Sequence, residues 1–161
     1  MSSPIASKFG LVRGALSAII LVAMPVVALW LWFKPHTTPA EVVIDGRIRV
    51  RVEVADTMLA QERGLSGHAP LAADEGMVFL FDRPEKYAFW MKDMTFPIDI
   101  IWIMDGAIAD ITPDVPVPTP GVSLPTFAPK VPVDTVLEVN AGFARQHGLR
   151  IGLPVQVRKG P

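Results

Sequence analysis

The longest apolar stretch of the chain constrains its architecture more than any other feature. From Gly14 to Phe33 there is no charged residue, and a stretch of this length is about what the hydrocarbon core of a bilayer requires. Lys8 and Arg13 precede it without any acidic residue, so the positive-inside rule places the N-terminus in the cytoplasm. We therefore predict a cytoplasmic N-terminus over residues 1–13 and one transmembrane helix over residues 14–34, with the rest of the chain on the outer, periplasmic or extracellular side of the cytoplasmic membrane.

A cleavable signal peptide is the alternative interpretation of this segment, because it also combines a basic start with an apolar middle. Trp30 and Trp32 stand close to Lys34, in a pattern typical of an aromatic and cationic belt at a membrane interface. This pattern favours an uncleaved anchor. The candidate cleavage sites end at Ala28 and Ala40, and cleavage at either one would produce a secreted domain.

After a short predicted linker over residues 35–40, residues 41–161 have the length of one globular domain. All sixteen acidic residues follow Pro35, whereas three of the fifteen basic residues precede it, which leaves the later part with a net charge of −4. This balance disfavours nucleic-acid binding, because neutralising phosphates needs a basic surface. The chain has no cysteine, and the positions of His68 and His147 match no spacing of metal ligands. We therefore predict no metal site and no cofactor.

Two Asp-Gly pairs predict β-hairpins. Asp45-Gly46 lies between two strand-like runs, and Asp105-Gly106 follows the apolar run from Ile98 to Met104; a two-residue Asp-Gly loop in this setting is the strongest short-range hairpin signal. From Arg47 to Val54 charged and apolar residues alternate, which predicts a strand with one buried and one wet face.

Two short helices are predicted between the strands. Asp56-Thr57 offers an N-cap and Gly64 a stop for the first helix, with Met58 and Leu59 as its expected core contacts, and the second helix spans residues 141–147. Residues 112–132 are rich in proline and are expected to form a long surface loop. The predicted fold is α+β and mainly β: a small barrel-like antiparallel or mixed sheet with two short helices, preceded by the transmembrane helix.

The segment from Phe89 to Asp99 mixes large apolar side chains with charged ones more densely than any other. Phe89 and Trp90 point to opposite sides of a strand, so one could face the core while the other lines a groove; plain core packing is the favoured interpretation. Pro97 predicts an ordered turn over residues 92–97. Lys92, Asp93 and Asp99 could form an acid/base or ligand-binding cluster if the fold brings Glu138 near them. An internal ion-pair network that holds the turn is the favoured alternative.

Four motifs occur here in the same order as in a known family. They are Gly64-Leu65, Gly76-Met77-Val78-Phe79, the segment from Trp90 to Asp99, and the segment from Leu137 to Gly142. Over roughly residues 42–157 the chain resembles the family called domain of unknown function 192. The resemblance implies a small β-rich, barrel-like domain that is frequently exported. It implies no agreed activity and no defined catalytic set, so it assigns no role to any residue.

The candidate ligand-binding residues are Trp90, Lys92, Asp93, Asp99, Glu138 and Asn140, and no catalytic residue is assigned. The favoured function is a non-catalytic module that binds a small molecule, a glycan or an envelope partner beside Trp90. The alternatives are an envelope hydrolase that uses the Lys, Asp and Glu cluster, and a purely structural tethered domain. The short linker favours partners at the membrane surface.

Overall fold

A computed structural model of the chain describes residues 40–159. The predicted anchor and its alternative as a signal peptide lie outside these residues. Within the described part, no helix is both long and apolar enough to cross a membrane. The secondary structure runs in the order β1 (Ala40–Ile44), β2 (Ile48–Ala55), α1 (Met58–Arg63), β3 (Glu75–Glu85), β4 (Phe89–Trp90), β5 (Ile98–Met104), β6 (Ala107–Val115), β7 (Thr126–Phe127), β8 (Val133–Asn140), α2 (Phe143–Gln146) and β9 (Val155–Lys159).

Seven strands form one mixed sheet in the order β6-β5-β8-β3-β2-β1-β9. Neighbouring strands are antiparallel except β2 and β3, which are parallel. The two edges of the sheet meet at a bridge between Ala107 of β6 and Pro154 before β9, where the amide of Ile108 donates to the carbonyl of Leu153 at 2.9 Å. The sheet therefore closes on itself at this bridge. The prediction of a mainly β fold with a mixed sheet and two short helices is confirmed. Strands β4 and β7 form a separate two-stranded ribbon.

The two Asp-Gly pairs both turn the chain between paired strands. Asp105 and Gly106 have φ values of 50° and 70° and connect Met104 directly to its partner Ala107. Positive φ at both positions is what a type I′ turn requires. The first hairpin differs from the prediction, because Ile44 pairs with Ile48 and the loop around Asp45-Gly46 therefore has three residues.

Alternation along the strands separates the apolar side chains into two cores. The inner core lies inside the closed sheet and includes Val42, Ile44, Val50, Val52, Val78, Ile101, Leu137 and Val139. The outer core lies on the opposite face of β3, β8 and β5 and includes Met77, Phe79, Met91, Met94, Phe96, Ile100, Trp102 and Val136. Because neighbouring residues of a strand point to opposite faces, each central strand contributes to both cores. The candidate site is built on the outer one.

The proline-rich segment is more ordered than predicted. Strand β6 continues to Val115, and β7 lies inside the expected loop and pairs with β4 through Phe127 and Phe89. Pro113 fits into β6 because it lies at a shift of the pairing register with β5, between the pairs Ile100–Thr112 and Ile98–Val115, and such an irregularity tolerates a residue without an N–H. The buried carboxylate of Asp110 accepts hydrogen bonds from the backbone amide and the ammonium of Lys130, both at 3.1 Å, and so fixes the far end of the segment.

Helix α1 begins and ends where predicted but packs through a different side. The Thr57 hydroxyl accepts a hydrogen bond from the Ala60 amide at 3.3 Å, as an N-cap should. The expected core contacts are wrong, since Met58 and Leu59 are 87% and 78% exposed. Gln61 connects the helix to the sheet instead, because its amide donates to the carbonyl of Leu80 at 2.7 Å. Only one side of so short a helix faces the sheet, and Gln61 lies on that side.

Candidate functional site: a cleft beside Trp90

Helix α1 and strand β4 border a cleft on the outer face of the sheet. It contains two hollows of about 410 and 390 Å³, and the side chains of Glu62 and Trp90 border both. The first hollow is also lined by Gln61, Phe81, Tyr87, Ala88, Phe89 and Thr126. The second is also lined by Leu59, Arg63, Ser66, Lys92 and Asp93. We call the two hollows together the Trp90 cleft.

Two hydrogen bonds to backbone carbonyls hold the turn after β4 against the chain that follows α1. The Ser66 hydroxyl donates to the carbonyl of Lys92 at 2.8 Å, and the Gly67 amide donates to the carbonyl of Asp93 at 3.0 Å. Asp93 adopts a φ of 55°, a left-handed conformation that aspartate tolerates better than most residues. The turn predicted between β4 and β5 is therefore ordered, and it fixes one end of the cleft.

Trp90 and Phe89 do face opposite sides, but only Phe89 belongs to the core. The Phe89 ring packs edge to face on Phe79 and Trp102, with centroids 4.8 and 5.4 Å apart. Trp90 is 46% exposed, so the favoured interpretation of core packing is wrong for this residue. Strand β4 has two residues in a ribbon outside the main sheet, and only one of its faces meets the outer core. The Lys92 ammonium lies 5.5 Å from the centroid of the Trp90 ring.

Glu138 lies beneath the cleft in the middle of β8. Its register places it between Met77 of β3 and Ile100 of β5, and it is only 4% exposed. Its Oε2 atom is buried and has no hydrogen-bond partner among the described residues. Burial raises the pKa of Glu138 to about 8, because an apolar environment disfavours the charged carboxylate. The carboxyl group is therefore neutral at pH 7.

A narrow pocket of about 20 Å³ connects Glu138 to the borders of the cleft. Its lining includes Glu62 and Trp90, which also border both hollows, together with Phe79, Phe89 and Met94. A cavity of this size accommodates about one water molecule. The cleft thus adjoins a pocket that holds the neutral carboxyl group of Glu138 and has room for one small polar group.

Asp99 lies on the other face of the sheet. It pairs with Val139, a residue of the inner core, whereas Ile100 pairs with Glu138. Its carboxylate accepts backbone hydrogen bonds from Asp114 at 2.7 Å, Gly142 at 3.1 Å and Ala144 at 2.8 Å. These bonds connect β5 to the end of β6 and to the start of α2. The structure therefore does not bring Asp99 together with Glu138.

Of the other candidate residues, Trp90 lines the narrow pocket with Glu138, whereas Lys92, Asp93 and Asn140 do not line it. Lys92 and Asp93 are exposed at the border of the cleft, and the Asn140 amide donates to the carbonyls of Leu71 and Ala72 at 3.2 and 2.9 Å. Among residues 40–159, no ion pair connects any of the candidate charges to another, so the expected ion-pair network is wrong. The described residues contain no group of three or more potential metal ligands.

A known protein family matches the sequence of this domain. The model of the domain of unknown function 192 family (DUF192), described as an uncharacterised ACR, matches residues 40–157. The chain belongs to the DUF192 family. No curated protein matches the chain significantly.

Two crystal structures resemble this DUF192 domain. One is a proposed transcription regulator from Sinorhizobium meliloti 1021, which is 28% identical with a TM-score of 0.67; the match covers 75% of this chain and 95% of that one. The other is a protein of unknown function from Novosphingobium aromaticivorans DSM 12444, which is 31% identical with a TM-score of 0.65; that match covers 73% of this chain and 83% of the other.

One wall of the cleft in this DUF192 domain was not predicted from the sequence. Phe81 and Tyr87 stack with ring centroids 3.6 Å apart, and the Tyr87 hydroxyl donates to the carbonyl of Arg83 at 2.6 Å. Burial, and then the nearby charge of Glu85, raise the pKa of Tyr87. The sequence did contain a signal for this wall, because aromatic residues recur from Phe79 to Trp90. Their number is too large for one strand that packs on a single face.

Proposed function

We propose that this DUF192 domain is a non-catalytic binding module that takes a small molecule or a glycan in the Trp90 cleft. One observation carries the proposal: Trp90 is 46% exposed and borders both hollows of the cleft. An exposed indole beside a concave surface offers a large apolar face for a flat ring, with a polar N–H for orientation.

The proposal gains support from the way in which Trp90 is held. Its backbone pairs with Thr126 of β7, and the turn that follows is fixed to Ser66 and Gly67. A platform that is already ordered loses little conformational freedom when a ligand binds. We also propose that the cleft operates on the outer side of the cytoplasmic membrane, on the strength of the apolar segment that precedes the domain, and that an envelope protein is a further class of partner.

A hydrolase is the second candidate, and the raised pKa of Glu138 favours it, because a neutral carboxyl group can act as a general acid. Acid–base catalysis by carboxyl groups usually needs two of them to converge on one pocket. Asp99 instead faces away and is saturated by three backbone amides. The other carboxyl group that lines the pocket, that of Glu62, belongs to an exposed residue of α1. Binding without catalysis therefore accounts for the cleft more simply.

The test is a titration of the full-length chain, followed through its indole N–H signals by NMR. The probes are N-acetylglucosamine oligomers and a set of planar heterocycles. We expect at least one probe class to shift the Trp90 signal, and Trp90→Ala to weaken its binding about tenfold or more, which corresponds to about 1.4 kcal/mol.

The matched control is Ile151→Ala, which removes another exposed apolar side chain that does not line the cleft. It should leave binding unchanged. Probe binding that is equally strong in Trp90→Ala would refute the proposed site, and product formation from any oligomer would favour the hydrolase.

A further inference from the structure

We propose that the pocket over Glu138 binds a primary ammonium group carried on a slender aliphatic stem. This inference rests on the proposed function of the Trp90 cleft as a binding site, and it names the class of ligand. The ammonium group would form an ion pair with the Glu138 carboxylate, while the stem would lie in the cleft along Trp90.

The hydrogen bonding of Glu138 is incomplete. Buried polar atoms in proteins almost always have a partner, yet Oε2 of Glu138 has none among residues 40–159. The side chains of neighbouring strands that face it in register, Met77 and Ile100, are apolar and can supply no donor. A ligand that completes this site must therefore bring a polar group: an acceptor where Glu138 keeps its proton, or a donor where the carboxyl group is ionised.

The chemistry of the pocket walls favours a cation. Phe79, Phe89 and Trp90 contribute aromatic rings and Met94 contributes a polarisable thioether, and aromatic faces attract cations. The ammonium of Lys92 already lies 5.5 Å from the centroid of the Trp90 ring. A cationic donor is therefore favoured over a neutral hydroxyl group.

The other polar side chains that line the pocket leave Oε2 of Glu138 available to a cation. The side chain of Gln61 is engaged with the carbonyl of Leu80, and that of Ser66 with the carbonyl of Lys92. The charged groups that line the pocket besides Glu138 are Glu62 and Arg63 of α1, and both residues are exposed. Neither one donates to Glu138.

The size of the pocket fits an ammonium group. A pocket of about 20 Å³ holds roughly one water molecule, and an ammonium group occupies a similar space. A planar guanidinium or a quaternary ammonium group is too large to reach Glu138 through it. The adjoining hollow of about 390 Å³ has room for an alkyl stem, which would bury its methylene groups against apolar surface.

Binding should release a proton. In the free domain the pKa of Glu138 is about 8, so the carboxyl group carries a proton at pH 7. When the ammonium group enters, the O–H proton passes to the buffer, and the carboxylate and the ammonium remain as a pair. About one proton should be released for each amine bound at pH 7, and close to none at pH 9, where the free carboxyl group is already ionised.

Isothermal titration calorimetry of the full-length chain tests this, in two buffers that differ in ionisation enthalpy. The probes are pentylamine and Nα-acetyl-lysine amide, with 1-pentanol as the uncharged control and tetramethylammonium as the oversized one. We expect both amines to bind with proton release at pH 7, and both controls to bind at least tenfold more weakly. The tighter of the two amines identifies the source, which is a free alkylamine or a lysine side chain of a polypeptide.

Two variants complete the test. Glu138→Gln preserves the shape and neutrality of the protonated acid, so it should keep the fold and its indole spectrum, but it should lose proton release and at least tenfold in amine affinity. Glu41→Gln makes the same change in a surface carboxylate on β1 and should behave as wild type. Amine binding without proton release, or equal binding by Glu138→Gln, would overturn the inference. If ring probes bind at Trp90 and no amine binds, this inference fails while the proposed function stands; if neither class binds, both fail.

Discussion

The buried carboxyl group of Glu138 should make the stability of this domain depend on pH in a direction opposite to that of most carboxyl groups. A carboxylate in an ion pair has a lowered pKa and stabilises the fold as pH rises. Glu138 has a pKa near 8 in the folded domain, against 4.5 for a free glutamate. The perturbation that isolates its effect is Glu138→Gln, which keeps the size of the side chain and removes its titration.

The magnitude follows from the gap between the two pKa values. Below pH 4.5 the carboxyl group is protonated in both the folded and the unfolded chain, and it contributes no pH dependence. Between pH 4.5 and 8 the folded chain keeps a proton that the unfolded chain has lost, so the free energy of unfolding falls as pH rises. A gap of about 3.5 pH units corresponds to about 5 kcal/mol in total. Above pH 8 both states are ionised and the loss is complete.

Urea unfolding at pH 5, 6, 7 and 8 measures this directly on the wild type, Glu138→Gln and the surface control Glu41→Gln. The stability of Glu138→Gln relative to wild type should increase by about 4 kcal/mol between pH 5 and pH 8. The control should run parallel to wild type. Parallel curves for wild type and Glu138→Gln would refute the reasoning, because Glu138 would then titrate alike in the folded and the unfolded chain.

Three further substitutions test the construction of the fold and the cleft by thermal or urea unfolding. Asp99→Asn should lower the free energy of unfolding by about 3 kcal/mol or more, because a carboxylate that accepts from three backbone amides is replaced by a group with one acceptor oxygen; a loss below about 1 kcal/mol would contradict this role. Gly76→Ala should lower the free energy of unfolding by about 1–3 kcal/mol, since a Cβ there would lie 2.5 Å from the carbonyl oxygen of Glu138. Unchanged stability would show that β3 and β8 can move apart to make room for it. Trp90→Ala should lower the melting temperature far less than Trp102→Ala, because Trp102 is fully buried. Equal decreases in melting temperature would indicate that Trp90 packs in the core.

The sheet was predictable where a local pattern determines the structure. The alternation in β2 predicted Val50 and Val52 as buried and their charged neighbours as exposed, and the structure agrees. The Asp-Gly pairs predicted both hairpins because positive φ is a property of single residues. The end of β6 and the position of β7 could not be predicted, because they depend on partners distant in sequence, such as the pairing of Phe127 with Phe89.

The candidate site was only partly predictable for a related reason. Sequence proximity suggested that Lys92, Asp93 and Asp99 act together, but Asp99 belongs to a strand whose face is set by its pairing with β8. A change of one residue along a strand moves a side chain to the other face of a sheet, and no local pattern reports which face will be covered. Glu62 became part of the cleft only through the position of α1 over the outer core.

Glu138 is the residue whose presence packing alone does not explain. Strand β8 is paired on both sides, with β3 and β5, and the side chains next to Glu138 in register are Met77 and Ile100. An uncharged or apolar side chain at this position would avoid the cost of desolvating a carboxylate and would leave no buried oxygen unpaired. A buried acid on a central strand therefore lowers the free energy of unfolding at neutral pH. We expect this acid to serve a function in the pocket beside the Trp90 cleft, because buried groups with strongly shifted pKa values are concentrated at functional sites.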